Sequence, residues 1–386
     1  MDRSSSRISP TAVLAGLGAL LVVGGGCAQR AALPPSAPPV VRATPIVITP
    51  HEDEAPEATF RRAELLLSEG KGAEAGLLFD RLAALDPAGL IAPVALYKSG
   101  VAWDVAGDYA GALARFRATA SRYADRDIGR LATLGTLRLE AYLEQWSQLS
   151  ATADLLLARG DLNDVDRVEG NGAKALAIVE AGDPDAAERF IARGRDIIEA
   201  LRLGEGGKVP VQVAQIFFAL GEVRRVRSEA ITFVPLPPNF AEALEQRCQG
   251  LLDAQSAYSD AMRSYDTHWP AMSGYRVGEL YQKLHRDVIA IAPPKAATTT
   301  EKKRLFEGAM ALRYRILLEK GLKMMEHTLM FADRTGEVSV WIERARAAKR
   351  EIERALEEQK AKLEKLPYSE KDLQKALDDL AAKSQP

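Results

Sequence analysis

A short pattern recurs in the first half of the chain, and it restricts the fold more than any other feature. Gly70-Lys71-Gly72-Ala73-Glu74-Ala75 is followed by Phe79 and then Asp86-Pro87, and Gly107-Asp108-Tyr109-Ala110-Gly111-Ala112 is followed by Phe116. Turn glycine, small residue and aromatic stand at the same offsets, 37 positions apart. A third copy, Gly182-Asp183-Pro184-Asp185-Ala186-Ala187 and then Ile191, lies 75 positions further on, which leaves room for one unit between. Leu134-Gly135 through Trp146 to Leu157 fits that slot, although its turn has lost the glycine. A unit of this size cannot bury an apolar face alone, so successive units must stack on one another. Alanine and leucine crowd almost every stretch after His51 and aromatics make up only 6%, a composition that favours close-packed helices over sheets.

Local punctuation agrees. Asp183 before Pro184 is a capping residue followed by proline at the first helical position, where its missing N–H costs nothing, so a helix should start there. Gly204-Glu205-Gly206-Gly207 should end the helix that carries Ile197, Ile198 and Leu201. Further helices are expected over 210–232, 240–265 and 271–291, broken by Pro235-Leu236-Pro237-Pro238 and Pro293-Pro294. Two long helices, about 301–334 and 338–366, read as a hairpin, the second with Trp341, Ala345, Ala348, Ile352 and Leu356 on one stripe. Ser369-Glu370-Lys371-Asp372 reads as a capping box that opens a short closing helix.

These positions resemble the tetratricopeptide repeat, whose first helix carries a small residue followed three later by an aromatic and whose second carries a small residue followed four later by an aromatic. Gly100 with Trp103 and Ala112 with Phe116 fill those places, Ala75 with Phe79 and Ala187 with Ile191 repeat the second-helix step, and Pro87 matches the closing proline. The spacing exceeds the family's usual ~34 residues, and Trp103 stands where tyrosine is common. Leu220-Gly221 and Val277-Gly278 with Tyr281 again resemble first repeat helices. The resemblance implies an all-α solenoid of antiparallel helix pairs over 56–205, degenerate repeats over 206–295, and a long helical hairpin with its closing helix over 296–386. It also implies a non-enzymatic scaffold that binds other proteins, with Lys98, Asp104 and Arg138 as candidates on the groove side of first helices. Gly70, Gly107 and Gly182 are the turn glycines of the signature.

The first 55 residues point to a compartment. Arg3 and Arg7 precede an apolar run from Ala12 to Val23 that is too short to span a bilayer, the anatomy of an export signal. Gly24, Gly25 and Gly26 then lead into Cys27, which resembles the lipobox of bacterial lipoproteins and implies a signal over 1–27 with Cys27 as the lipid anchor. Gly24 occupies the place where that family usually has leucine. Ala28 is not the aspartate of an inner-membrane retention signal, so the periplasmic face of the outer membrane is the expected location, with a soluble periplasmic protein as the alternative. Residues 28–55, rich in proline and alanine and without helical or strand period, read as a semi-extended tether.

Charge and motifs narrow the chemistry. With 51 basic and 53 acidic residues the chain carries a formal charge of −2, so it offers no overall positive field for nucleic acid. His51, His268, His285 and His327 are scattered without a zinc spacing, and Glu326-His327 and Glu279 with His285 read as polar residues on helix faces. Gly206-Gly207-Lys208 is not a phosphate loop, because Arg202 replaces its first glycine and Val209 its Ser or Thr. Cys248 sits in a helical apolar pattern and reads as a small buried hydrophobe. No metal, cofactor or small-molecule substrate is expected, and the partners are expected to be envelope proteins engaged in assembly, secretion or motility. Arg276-Val277-Gly278-Glu279-Leu280-Tyr281 and Leu317-Leu318-Glu319-Lys320 are loosely similar to repeat lipoproteins of gliding Gram-negative bacteria. The alternative is a helical periplasmic enzyme or binding protein acting on cell-wall material.

Overall fold

The computed structural model describes residues 55–375 apart from 207, 208, 265, 296, 370 and 374, so the export signal, Cys27, the tether and His51 lie outside it. Its helices in order are α1 (Pro56–Ser68), α2 (Gly72–Leu85), α3 (Ala92–Val105), α4 (Tyr109–Arg122), α5 (Asp127–Tyr142), α6 (Trp146–Leu157) and α7 (Asp164–Glu180). There follow α8 (Pro184–Leu201), α9 (Val211–Glu229), α10 (Phe240–Met262), α11 (His268–Ile289), α12 (Thr300–Thr335) and α13 (Val340–Glu364). No strand forms among the described residues beyond an isolated bridge between Val209 and Ser264.

The pairing follows from the turns. Helices α1 and α2, α3 and α4, α5 and α6, and α7 and α8 are each joined by three residues and pack on each other, which makes each pair antiparallel. The middle residue of all four turns has positive φ: Gly70, Gly107, Glu144 and Gly182, at 76°, 79°, 58° and 95°. Glu144 thus holds the left-handed position of the unit whose glycine is missing, 37 residues after Gly107, and the register is unbroken. Asp183 caps its helix as the sequence predicts, its Oδ1 accepting from the Ala186 N–H at 2.9 Å, and Asp108 Oδ1 accepts from the Gly111 N–H at the same distance. Ser369 and Asp372 bond reciprocally as a capping box.

Small residues meet large ones where the pairs interlock. A Cβ on Gly100 would stand 2.8 Å from the Phe116 ring, and one on Gly76 would stand 2.9 Å from the Trp103 indole. The same device continues beyond the first four pairs, where Gly221 of α9 admits Tyr258 of α10 and Gly278 of α11 admits Met325 of α12. The fold is therefore an all-α, tetratricopeptide-like solenoid that runs on through α9/α10 and α11/α12. Helix α13 folds back along α12 and α11 with Trp341, Ala345, Ala348 and Ile352 buried, so the predicted long hairpin is present. Two small apolar clusters serve the first two pairs, and one continuous core extends from Leu134 to Leu373, across 205/206 and 295/296.

Two boundaries differ from expectation. Helix α10 ends at Met262, and α11 begins at His268 instead of Ala271, because Pro270 falls within its first turn, where proline is tolerated. The α8 helix ends at Leu201 and is closed by Arg202 in the left-handed conformation, two residues before Gly204.

Candidate functional site

The signature residues occupy the joints between pairs. Ala75, Phe79, Ala112, Phe116 and Ala187 are buried. The Phe116 ring lies between Gly100 of its own pair and Gly135 of the next. Trp103 donates from Nε1 to Asp80 Oδ2 at 3.0 Å, and the same carboxylate accepts from Ser99 and, in a fork, from Arg115. Burial alone would raise the Asp80 pKa, but those bonds overrule it and hold the carboxyl below its ordinary range. Pro87 accepts from the Tyr123 hydroxyl at 3.3 Å through its carbonyl.

Of the three groove candidates, Lys98 is the freest, 3.3 Å from Glu64 across α1 and α3. Arg138 makes a forked pair with Glu169 of α7, at 2.5 and 2.8 Å, and Glu169 is wholly buried. Asp104 Oδ1 lies 3.0 Å from His268 Nε2. The charges of Arg138 and Asp104 are thus taken up within the chain.

His268 belongs to a cluster that joins distant parts of the sequence. Its ring stacks on Tyr142 at 4.0 Å, and Tyr109 meets both rings edge-on at 5.1 Å. Glu337, in the turn between α12 and α13, accepts from the Tyr109 hydroxyl at 3.0 Å and from the Tyr142 hydroxyl, and its other oxygen lies 3.6 Å from His268 Nδ1. Beside it, Trp341 Nε1 donates 2.9 Å to the Tyr142 carbonyl, one of the acceptors left over at the end of α5. Arg344 grips Glu144 with two nitrogens, at 2.8 and 2.5 Å. The end of the C-terminal hairpin is thereby clasped to the second and third helix pairs. Burial would lower the His268 pKa, but Asp104, Asp266 and Glu337 carry it well above its ordinary value. Burial would likewise raise Glu337, yet the His268 ring beside it and the hydroxyl bonds from Tyr142 and Tyr109 bring it down to about 2.

A second polar cluster adjoins the clasp through Trp341, whose ring lies 5.3 Å from the Arg276 guanidinium and 4.7 Å from that of Arg344. Glu222, fully buried on α9, receives Arg276 at 2.9 Å, Tyr258 at 2.9 Å, and Arg225. Glu180, at the end of α7, lies 3.7 and 3.8 Å from Arg276 and Arg225. Burial and the neighbouring Glu222 charge push Glu180 upward. Burial would do the same to Glu222, but the two arginines hold it down. The two carboxyls therefore divide their proton affinities, with Glu222 sealed and clamped.

Sequence reasoning treats charges on helices as solvated faces. Glu140, Glu169, Glu222, Arg247 and Glu337 are instead buried, each paired with a group from another helix or turn. The spacing of 37 residues was the available signal for Glu144; Tyr109, Tyr142 and Glu337 had none. Cys248 is buried, and burial pushes its thiol up to about 11. His285 is buried too, and burial lowers it to about 4, so its ring is neutral. Among the described residues no three His, Cys, Asp or Glu side chains gather as a metal site, and no helix is long and apolar enough to cross a membrane. An open notch of about 310 Å³ lies between residues 70–74 and the end of α3.

No family model matches the chain, and no curated protein is similar to it by sequence. Among solved structures it is similar to a tetratricopeptide repeat protein from Parabacteroides merdae, with 11% identity over 79% of this chain and 98% of that one, at a TM-score of 0.40.

Proposed function

We propose that this chain is a lipid-anchored scaffold on the periplasmic face of a bacterial outer membrane, and that its helix-pair array holds partner proteins of an envelope complex. The observation that carries the reading is the unbroken register of the first four pairs, which sets α1, α3, α5 and α7 at equivalent places in successive units. Repetition of one unit builds an extended surface able to take a peptide or a partner helix. On α1 and α3, Glu64 and Lys98 stand 3.3 Å apart and keep part of their side chains exposed. The anchor rests on Arg3, Arg7, the apolar run and Cys27 in the sequence, and assembly, secretion and motility machines are the processes it suits.

A wall-active enzyme is the second reading, and the Glu180/Glu222 pair is the observation that favours it, since carboxyls with separated proton affinities suit acid–base work. Against that role, Glu222 is enclosed by two arginines and a tyrosine and has no open side from which to act as base or nucleophile.

Affinity capture from detergent-solubilised envelopes should recover partner proteins in fixed ratio to this chain, and Cys27→Ser should move the chain into the soluble periplasmic fraction. Turnover of wall fragments by the purified protein, lost in Glu180→Gln, together with no captured partner, would overturn the scaffold in favour of the enzyme.

A further inference from the structure

The clasp has the construction of a receptor site. Three donors, the Tyr109 and Tyr142 hydroxyls and His268 Nδ1, converge on a single carboxylate. They come from α4, α5 and α11, whereas the carboxylate they enclose arrives on a four-residue turn, Gly336 to Ser339. The pocket is prearranged from behind: Asp104 fixes the far nitrogen of His268, and the stack on Tyr142 fixes its plane. Tyr142 and His268 are each more than nine-tenths buried, and Nδ1 of His268 has no hydrogen-bond partner of good geometry although it points at Glu337.

We propose that Tyr109, Tyr142 and His268 form a carboxylate-binding pocket which the chain's own Glu337 fills as an internal ligand, and that an acidic segment of a partner protein takes Glu337's place when the array is engaged. The inference rests on the scaffold reading and names the chemistry of the partner. Exchange of one carboxylate for another conserves the donors and the buried charge, so neither state leaves an unpaired ion, which is the costly outcome. Trp341, fully buried and bonded to the Tyr142 carbonyl, holds the start of α13 in place, so release is confined to the turn itself. Val338 and Val340 are exposed, and the Arg344–Glu144 pair is about one-third exposed at both ends. Glu337 competes at the ~mM effective concentration of a tethered group, so the occupied pocket should bind a free peptide weakly and the vacated one much better.

The test uses the full chain and a synthetic hexapeptide copying residues 335–340, Thr-Gly-Glu-Val-Ser-Val, alongside its glutamine counterpart. Glu337→Ala should bind the acidic hexapeptide at least tenfold more tightly than the unaltered chain does, and should bind the glutamine version at least tenfold more weakly than the acidic one. Equal binding of the two peptides, or equal binding by the two proteins, overturns the pocket. A second measurement needs no substitution: hydrogen exchange of amides 336–341 in the unaltered chain should accelerate with millimolar acidic peptide and not with the glutamine version. Unchanged exchange with both overturns the proposal even if Glu337→Ala does not fold. Flat results here with partners still captured from envelopes would remove the pocket alone; loss of both would remove the scaffold as well.

Discussion

Replacing Gly100 with alanine should destabilise the array, against the direction of helix propensity. In a helix interior the change by itself favours alanine by about 1 kcal/mol. Here the new Cβ would stand 2.8 Å from Cδ1 and Cε1 of Phe116, closer than real carbon contacts allow. The ring has little room to retreat, because Gly135 faces its other edge and a Cβ there would stand 3.1 Å from Cδ2, Cε2 and Cζ. Tyr97 adds a third wall at 5.6 Å between ring centroids. Overfilling a packed core costs about 1–3 kcal/mol, and a trapped ring puts this site in the upper half of that range. The net loss is about 1–2 kcal/mol once propensity is subtracted. Urea unfolding followed by far-ultraviolet circular dichroism should show a lower midpoint for Gly100→Ala with an unchanged slope. Phe116→Leu added to it should restore part of the loss, so that the double variant is more stable than the single effects sum to. A Gly100→Ala protein as stable as the unaltered chain would refute the claim that this ring sets the distance between pairs.

Other consequences can be checked in the same way. Gly107→Ala meets no atom within 4 Å, so its cost is the left-handed backbone alone, about 1–2 kcal/mol, whereas Glu144→Gly at the equivalent turn should lie within about 0.5 kcal/mol of neutral. Its relief of strain is offset by a freer unfolded chain and the loss of an ion pair about one-third exposed; equal and opposite shifts in the two variants would contradict this. Glu180 has a folded pKa above its ordinary 4.5, so the folded state holds the proton longer and stability falls as pH rises from that value through the raised one. Glu180→Gln should remove this slope and stabilise the protein more at pH 8 than at pH 5, and the same gain at both would count against the assignment. At the clasp, Glu337 is depressed from 4.5 to about 2, so its contribution is present above 4.5 and lost as pH falls through about 2. His268 is raised above 6.5, so its contribution is complete below that value and lost as pH climbs through the raised one. Asp104, Asp266, Tyr109 and Tyr142 face the same pair, and amide protection at 336–341 should be level between pH 5 and 6.5 and decline towards acid. Protection that falls steadily across that plateau would contradict it.

What the sequence disclosed was everything written in local periodicity. Gly70, Gly107 and Gly182 announce three turns, Asp183-Pro184 a helix start, and the stripe from Trp341 to Ile352 a buried face, because each depends on residues within a turn or two. Glu144 escaped the glycine rule, since a packed array tolerates one strained residue when the neighbouring units fix the turn. The clasp and the Glu222 cluster were not legible. Tyr109 and Glu337 are 228 residues apart, and nothing adjacent to either says that they meet. His268 and Asp104 are 164 residues apart, and only the fold sets them 3.0 Å from each other, with His268 buried and Asp104 partly exposed.

Site-specific photo-cross-linking in living cells reaches the scaffold claim most directly. A photoreactive residue in place of Lys98 on α3 should give a discrete adduct with a partner protein, while one in place of the exposed Leu77 on α2 should not. Absence of any adduct from position 98, or the same adducts from both positions, would contradict a partner held on the first-helix side of the array.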